Sequence, residues 1–272
     1  MALTDFQRTV CRLMSAGRIA AGISYVAGGV ALNALTNGTR LSRDIDIFHD
    51  TETAVWSAWS SDRAVLEKNG YTVASTRERP GFVEAVVRKG GESVLVQWAQ
   101  DSAFRFFPLI EHAVLGLALH PLDLATNKVL AMAGRLEVRD WIDVIHCHDT
   151  LQNAGYLFWA ACGKDPGFGP AALLGEARRS SHYSAAEVDR LAFEGPPPDA
   201  AGLSRRWREI LEEAGRIIDR LPADEAGACV LTAAGDLFRG GPEALAEARK
   251  RNAVRFHQGS IKGAFPRIVE QP

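Results

Sequence analysis

The sequence predicts an α+β fold: a small mixed β-sheet flanked by helices over residues 1–120, then a largely α-helical part over residues 121–272. Three stretches carry that prediction. Residues 23–50, ISYVAGGVALNALTNGTRLSRDIDIFHD, pass from an apolar strand through a double glycine into an apolar helix and out to another strand. Two β-rich runs, 82–88 and 93–98, flank Lys89-Gly90-Gly91-Glu92, a strong hairpin signal. Residues 203–221 set Leu203, Trp207, Ile210, Leu211, Ala214, Ile217, Ile218 and Leu221 on one helical stripe, with mixed charges on the outer face.

Taken in order, the chain begins with Phe6, Val10, Leu13 and Met14 at helical spacing over residues 4–18, with Thr4 as N-cap. In the next stretch Ile23 to Ala27 reads as a strand, Gly28-Gly29 opens the helix of Val30 to Leu35, and Asn37-Gly38 turns the chain. Asp44-Ile45-Asp46-Ile47-Phe48 alternates, so Asp44 and Asp46 aim to one face of a strand and the isoleucines to the other. Two carboxylates side by side repel by about 4 kcal/mol at ~4 Å in a surface-like dielectric. A hard divalent cation, Mg²⁺ or Mn²⁺, turns that cost into a binding site. The double glycine lets a backbone approach a phosphate, and a helix N-terminus favours its negative charge. One stretch thus offers a phosphate cradle and a metal clamp.

Residues 52–69 read as a helix carrying Val55, Trp56, Trp59 and Leu66, with both tryptophans as core anchors, and Tyr71 to Thr76 alternates as a strand. Phe104, Phe106 and Phe107 read as core, with Arg105 as a phosphate contact. Pro121 starts a helix with Leu122, Leu124, Val129, Leu130 and Met132 on its buried side. Lys128 falls inside that apolar helix, where a lysine ordinarily carries its charge to solvent along its stem. Asp140 and Asp143, three apart, share a helical face, and an Arg-Asp pair beside Trp141 also suits a buried structural ion pair. His146 and His148 do not face each other on a helix, so they do not read as metal ligands. Helical patterns follow at 171–180, 184–193 and 242–251, with a stiff Gly195-Pro196-Pro197-Pro198 connector. The basic, glycine-punctuated tail from Arg255 to Arg267 reads as a last strand or an acceptor-binding arm.

Composition sets bounds on function. The hydrophobic share of 47% and charged share of 24% are those of an ordinary globular chain. A net charge of −2 supplies no global basic field, so an RNA-sized partner would need a local patch. The four cysteines have no paired spacing, which fits free thiols in a reducing compartment. No basic region precedes an apolar core at the N-terminus, and no apolar run reaches the length of a membrane span. The expectation is a cytoplasmic protein without membrane contact.

Gly28-Gly29, the apolar helix and the run Arg40-x-Ser42-x-Asp44-Ile45-Asp46-Ile47-Phe48 resemble the nucleotidyltransferase signature of the DNA polymerase β superfamily. Within it the chain is most similar to the AbiEii/AbiGii type of abortive-infection toxin nucleotidyltransferases, the MenT-like enzymes. Lys128 on a helix followed by Arg139-Asp140-Trp141-Ile142-Asp143 extends the resemblance, which covers roughly residues 20–150. It implies Mg²⁺-dependent transfer of a nucleotide from an NTP to an acceptor hydroxyl. Asp44 and Asp46 would then bind the metal, and Gly28 and Gly29 with Ser42 or Arg43 would hold the β- and γ-phosphates. Lys128 would balance phosphate charge, and Asp140 would be an acidic partner near the site, both facing the sheet. The resemblance further implies an RNA acceptor, tRNA in particular, and a toxin whose antitoxin is encoded elsewhere. The superfamily usually takes a third carboxylate from the strand beside Asp-x-Asp; here that position is Gln97, with Glu84 and Asp101 as the nearby acids. A missing third carboxylate weakens a second metal site and the activation of the acceptor hydroxyl. Two other readings share the pattern: a small-molecule nucleotidyltransferase of the aminoglycoside or lincosamide type, and a catalytically degenerate member that binds a nucleotide or a protein. An acidic pocket, against a basic groove, would separate the first of these from the RNA reading.

Overall fold

A computed structural model describes residues 3–179 and 183–266. The chain is mixed α+β and divides into two compact units. The first comprises Met1–Ala103, Leu109–His120 and Ala192–Gly195; the second comprises Phe104–Pro108, Pro121–Leu191 and Pro196–Pro272.

The first unit starts with α1 (Asp5–Ala21), where Thr4 and Gln7 form a reciprocal capping box. The helix runs past residue 18 and stops at Gly22 in the left-handed region. Next come β1 (Ser24–Ala27), α2 (Gly28–Thr36), β2 (Arg40–Leu41), β3 (Asp44–His49) and α3 (Glu52–Lys68). Within α3, Trp59 is buried at 6% exposure and meets Trp98 edge-on, whereas Trp56 is 37% exposed. Trp56 is therefore not a core anchor; three residues before Trp59, it lies at the margin of the helix's buried stripe. The hairpin strands β4 (Thr72–Arg79), β5 (Phe82–Lys89) and β6 (Glu92–Gln100) follow. Gly90 and Gly91 both take positive φ, +60° and +88°, as a tight two-residue hairpin turn demands. The strand β7 (Phe104–Arg105) belongs to the second unit, while β8 (Ile110–His112) and β9 (Gly116–Ala118) return to the first.

All of these strands except β2 and β7 form one seven-stranded mixed sheet in the order β4-β5-β6-β3-β1-β9-β8. The pairs β3/β6 and β1/β9 are parallel and the others antiparallel. Alternation sorts its two faces. Ile45, Ile47, Val83, Ala85, Val87, Val94, Val96 and Trp98 are buried, while Asp44, Asp46, Phe48, Phe82, Glu84, Gln97 and Ala99 are half-exposed on the opposite face. The buried side encloses a polar cluster. Arg18 Nη1 donates to the Leu115 carbonyl at 2.8 Å, Arg18 Nη2 lies 3.6 Å from Asp62 Oδ2, and Trp98 Nε1 donates to Asp62 at 2.9 Å.

The second unit is built on α4 (Pro121–Arg135), α5 (Val138–Thr150), α6 (Ala154–Ala161), α7 (Pro170–Arg179) and α8 (Ala185–Val188). After α8 the chain passes into β10 (Ala192–Phe193), which pairs antiparallel with β2 inside the first unit. The expected helix over 184–193 is thus only a capped turn followed by a short strand. Pairing with Arg40 and Leu41 overrides the local helical pattern, and Gly195 takes a positive φ directly after. The pattern over 171–180 falls in α7, with residue 180 outside the described residues.

The remainder comprises α9 (Ala200–Ile218), β11 (Cys229–Thr232), α10 (Pro242–Lys250), β12 (Val254–His257) and β13 (Ser260–Ile261). α9 buries Trp207, Ile210, Leu211, Ala214 and Ile217, the stripe its spacing announces. Tyr156, Trp159, Ile217, Leu221, Val230 and Leu245 form the core beneath it. The tail gives β12 against β11 and β13 against β7, while Arg267 lies outside the described residues. Phe106 and Phe107 are buried and Phe104 half-buried; Arg105 is only 3% exposed, so its guanidinium is enclosed rather than presented on the surface. All four cysteines are buried free thiols. Among the described residues no helix is long and apolar enough to cross a membrane.

Candidate functional site

The turn from β1 into α2 lies beside Asp46, because β1 runs antiparallel to β3 with Ala27 opposite Asp46. Gly28 has φ +64°, and a Cβ built there would stand 1.8 Å from Asp46 Oδ2. No side chain other than hydrogen fits while that carboxylate keeps its place. Gly29 is closed in from another direction: a Cβ there would meet Arg40 Nη2 at 2.6 Å and Ser42 Oγ at 3.0 Å. A carboxylate, a guanidinium and a hydroxyl therefore converge on the first two residues of a helix whose N-cap, Ala27, has no side-chain oxygen. The positive end of the helix dipole favours negative charge at this point.

The loop bearing these groups is fastened from two sides. β2 pairs with β10, with the Glu194 N–H donating to the Thr39 carbonyl at 2.7 Å, and Gln7 Nε2 donates to the Ser42 carbonyl at 2.7 Å. Arg40 is 5% exposed, whereas Arg43 is exposed. The cation against Gly29 is thus Arg40, which sequence reasoning quoted in the pattern but gave no role. No local pattern separates Arg40 from Arg43, since β2 ends at Leu41 and Ser42 lies beyond it.

On the other side of Asp46 the parallel register with β6 pairs it with Gln97, and the antiparallel register with β5 pairs Gln97 with Glu84. The amide at the third-carboxylate position is engaged: Gln97 Nε2 donates to Glu84 Oε2 at 3.0 Å, and Thr76 Oγ1 donates to Glu84 Oε1 at 2.8 Å. Asp101 lies past the end of β6, where its Oδ1 accepts from the Ser102 N–H. Asp44 and Asp46 share the half-exposed face of β3. Among the described residues no cluster of three or more His, Cys, Asp or Glu side chains is arranged to hold a metal ion. Two carboxylate donors still suit Mg²⁺, which commonly takes one or two carboxylates and completes its octahedron with water and substrate phosphates. The pair fits a cation shared with a phosphate ligand and does not form an all-protein cage.

Lys128, Asp140 and Asp143 belong to the second unit and form an ionic cluster there. Lys128 Nζ lies 2.9 Å from Asp140 Oδ1 and 3.0 Å from Asp143 Oδ2, and Arg135 meets Asp140 through Nε at 2.6 Å and Nη2 at 2.9 Å. Lys128 is 7% exposed and Asp140 fully buried, so Lys128 does not carry its charge to solvent. Burial raises the Asp140 pKa, but the Arg135 hydrogen bond and the Lys128 and Arg135 charges outweigh it, and the net shift is downward. Two cations face two anions, and what this geometry supports directly is cohesion of α4 with α5.

No family model matches the sequence. No curated protein matches it either. Among solved structures, JHP933 from Helicobacter pylori is similar in fold, with a TM-score of 0.53 and 12% identity over 80% of this chain and 95% of that one. A candidate nucleotidyltransferase from H. pylori aligns with a TM-score of 0.49 and 12% identity over 79% of this chain and 95% of that one. At such identity the likeness concerns the fold alone.

Proposed function

We propose that the protein is a Mg²⁺-dependent nucleotidyltransferase that moves a nucleoside monophosphate from an NTP to an acceptor hydroxyl. The observation that carries this reading is the convergence at α2: Asp46 against Gly28, with Arg40 and Ser42 against Gly29. The β- and γ-phosphates would lie on the glycine turn, where Arg40 offers a forked donor, Ser42 a hydroxyl, and the helix a positive end. Asp44 and Asp46 would ligate the cation. When bound, the cation would neutralise phosphate charge and lower the pKa of the attacking hydroxyl. In the transfer, the acceptor oxygen bonds to the α-phosphorus and the bond from that phosphorus to the β-phosphate oxygen breaks. Pyrophosphate leaves with the electron pair, and the hydroxyl proton passes to solvent. The chain's own contribution is positioning and charge complementarity, the main sources of rate in phosphoryl and nucleotidyl chemistry.

The AbiEii/AbiGii-like signature further supports an RNA acceptor such as tRNA, a cytoplasmic toxin role, and a companion antitoxin. In that scheme Lys128 would support the phosphates only if the Asp140 and Asp143 pairing opens.

The Gln97–Glu84 hydrogen bond favours a second reading, a member that binds nucleotide but transfers it poorly. Calorimetric titration with each NTP, with and without Mg²⁺, tests the main reading beside Asp46→Asn. Metal-dependent binding of a nucleotide, lost in the variant, is expected. Absence of binding to all four nucleotides would sink both readings.

A further inference from the structure

Helix α2 is apolar from Val30 to Leu35 except at Asn33, whose side chain is nonetheless buried, at 2% exposure. A buried amide is costly unless its polar atoms find partners. Asn33 Nδ2 donates to the Gly29 carbonyl at 2.8 Å, one turn back in the helix. Because a carbonyl only accepts, the amide has to turn its nitrogen to Gly29 and its oxygen the other way. The oxygen faces the turn that leads to Arg40: a Cβ built at Gly38 would stand 2.1 Å from Asn33 Oδ1. The Gly38 N–H also donates to the Asn33 backbone carbonyl at 3.0 Å. One buried residue thus touches both the start of α2 and the turn that precedes β2.

The Gly29 carbonyl belongs to the same planar peptide as the Val30 N–H. Holding the oxygen therefore fixes the N–H, one of the first four donors that α2 cannot pair within itself. These donors form the positive end that favours an anion. Two glycines in succession leave such a peptide freer to rotate than any other pair would. Side chains at 28 and 29 cannot restrain it, because Asp46, Arg40 and Ser42 occupy the space they would need. Asn33 supplies the restraint from inside the fold. Stability alone does not call for an amide there, since an apolar side chain of similar size would fill the position with no polar atom to satisfy.

We infer that Asn33 is a positioning residue for the phosphate cradle, holding the Gly29–Val30 peptide with its N–H turned outward to the anion. The inference rests on the nucleotidyl-transfer reading, so anion binding and NTP binding are measured apart. The test compares Asn33→Thr with Asn33→Val in the full chain. The two side chains have nearly the same shape. A threonine hydroxyl, however, can donate to the carbonyl four residues back, as Thr36 Oγ1 does to Leu32 at 2.7 Å in this same helix. Inorganic tripolyphosphate without metal, and each NTP with Mg²⁺, are titrated by calorimetry, with urea unfolding alongside.

Asn33→Val is expected to bind tripolyphosphate and nucleotide roughly 10-fold more weakly than Asn33→Thr, the lower end for one hydrogen bond to a charged group. Its unfolding midpoint should be equal or higher. Equal affinities in the two variants overturn the inference. So does a weakening in Asn33→Val that comes with a lower unfolding midpoint, which would mark a structural bond alone. Tripolyphosphate binding that differs between the variants as expected, in a chain that binds no NTP, upholds the positioning role and overturns the transfer reading. A wild-type chain that binds neither overturns both.

Discussion

A methyl group at position 28 would have to share space with Asp46 Oδ2, so the smallest substitution available is also a probe of the site. Gly28→Ala is expected to displace that carboxylate and abolish Mg²⁺-dependent NTP binding in calorimetry, while circular dichroism still reports a folded chain. Transfer should fall by roughly 10²–10³-fold, the several kcal/mol of a bound cation at about 1.4 kcal/mol per decade. Gln97→Asp runs the other way: it replaces the amide beside Asp46 with a third acid and should raise turnover, by up to roughly 10²-fold if proton removal limits the rate. A fall in turnover would mean that the Gln97–Glu84 bond itself holds the site in shape. At this scale the glycine pair and the Asp-x-Asp alternation were readable because both follow from backbone geometry. Arg40 was harder to single out, since three polar or basic residues crowd positions 40–43 and only the fold shows which one turns inward.

β3 carries Asp44 and Asp46 on one face and ends in His49, which is wholly buried on the other. Burial lowers the His49 pKa from 6.5 to about 4, with Nδ1 set against the Ala99 carbonyl. The unfolded chain therefore binds the extra proton first as pH falls. Stability from keeping His49 neutral is complete above about 6.5 and lost down to about 4, a total of roughly 3 kcal/mol. Urea unfolding across that interval should show the slope, and His49→Gln should flatten it.

In α4 and α5, Lys128→Met would remove the cation that lies 2.9 Å from buried Asp140 and 3.0 Å from buried Asp143. A loss of roughly 3–5 kcal/mol in unfolding free energy is expected. Activity measurements on Lys128 variants therefore need a stability measurement beside them; an unchanged unfolding midpoint would argue against the structural role. The β5–β6 hairpin, the Thr4 cap of α1 and the stripe of α9 were legible because local chemistry and final structure agree. The stretch 184–193 was not, because its strand exists only through pairing with residues far earlier in the chain.

The whole chain interleaves its units. Phe104–Pro108 leaves the first unit for the second, and Ala192–Gly195 returns to the first from within the second. That second excursion supplies β10, the partner of the strand that carries Arg40. A chain ending before Ala192 should keep most of the first unit's secondary structure by circular dichroism yet bind NTP more weakly. Equal affinity in the truncated chain would show that the cradle needs no such support. No sequence pattern announces this dependence, since the strand is two residues long and its helical reading was locally reasonable.

The same connection bears on when the protein matures. At ~5–20 residues per second, translation delivers Ala192 roughly 8–30 seconds after Leu41. Throughout that interval the nascent chain can carry its glycine turn and both aspartates with the loop between them still unfastened. The β2–β10 pairing is thus completed late in synthesis, and premature termination upstream of β10 would release a chain with the motif but without the strand that fastens the proposed cradle.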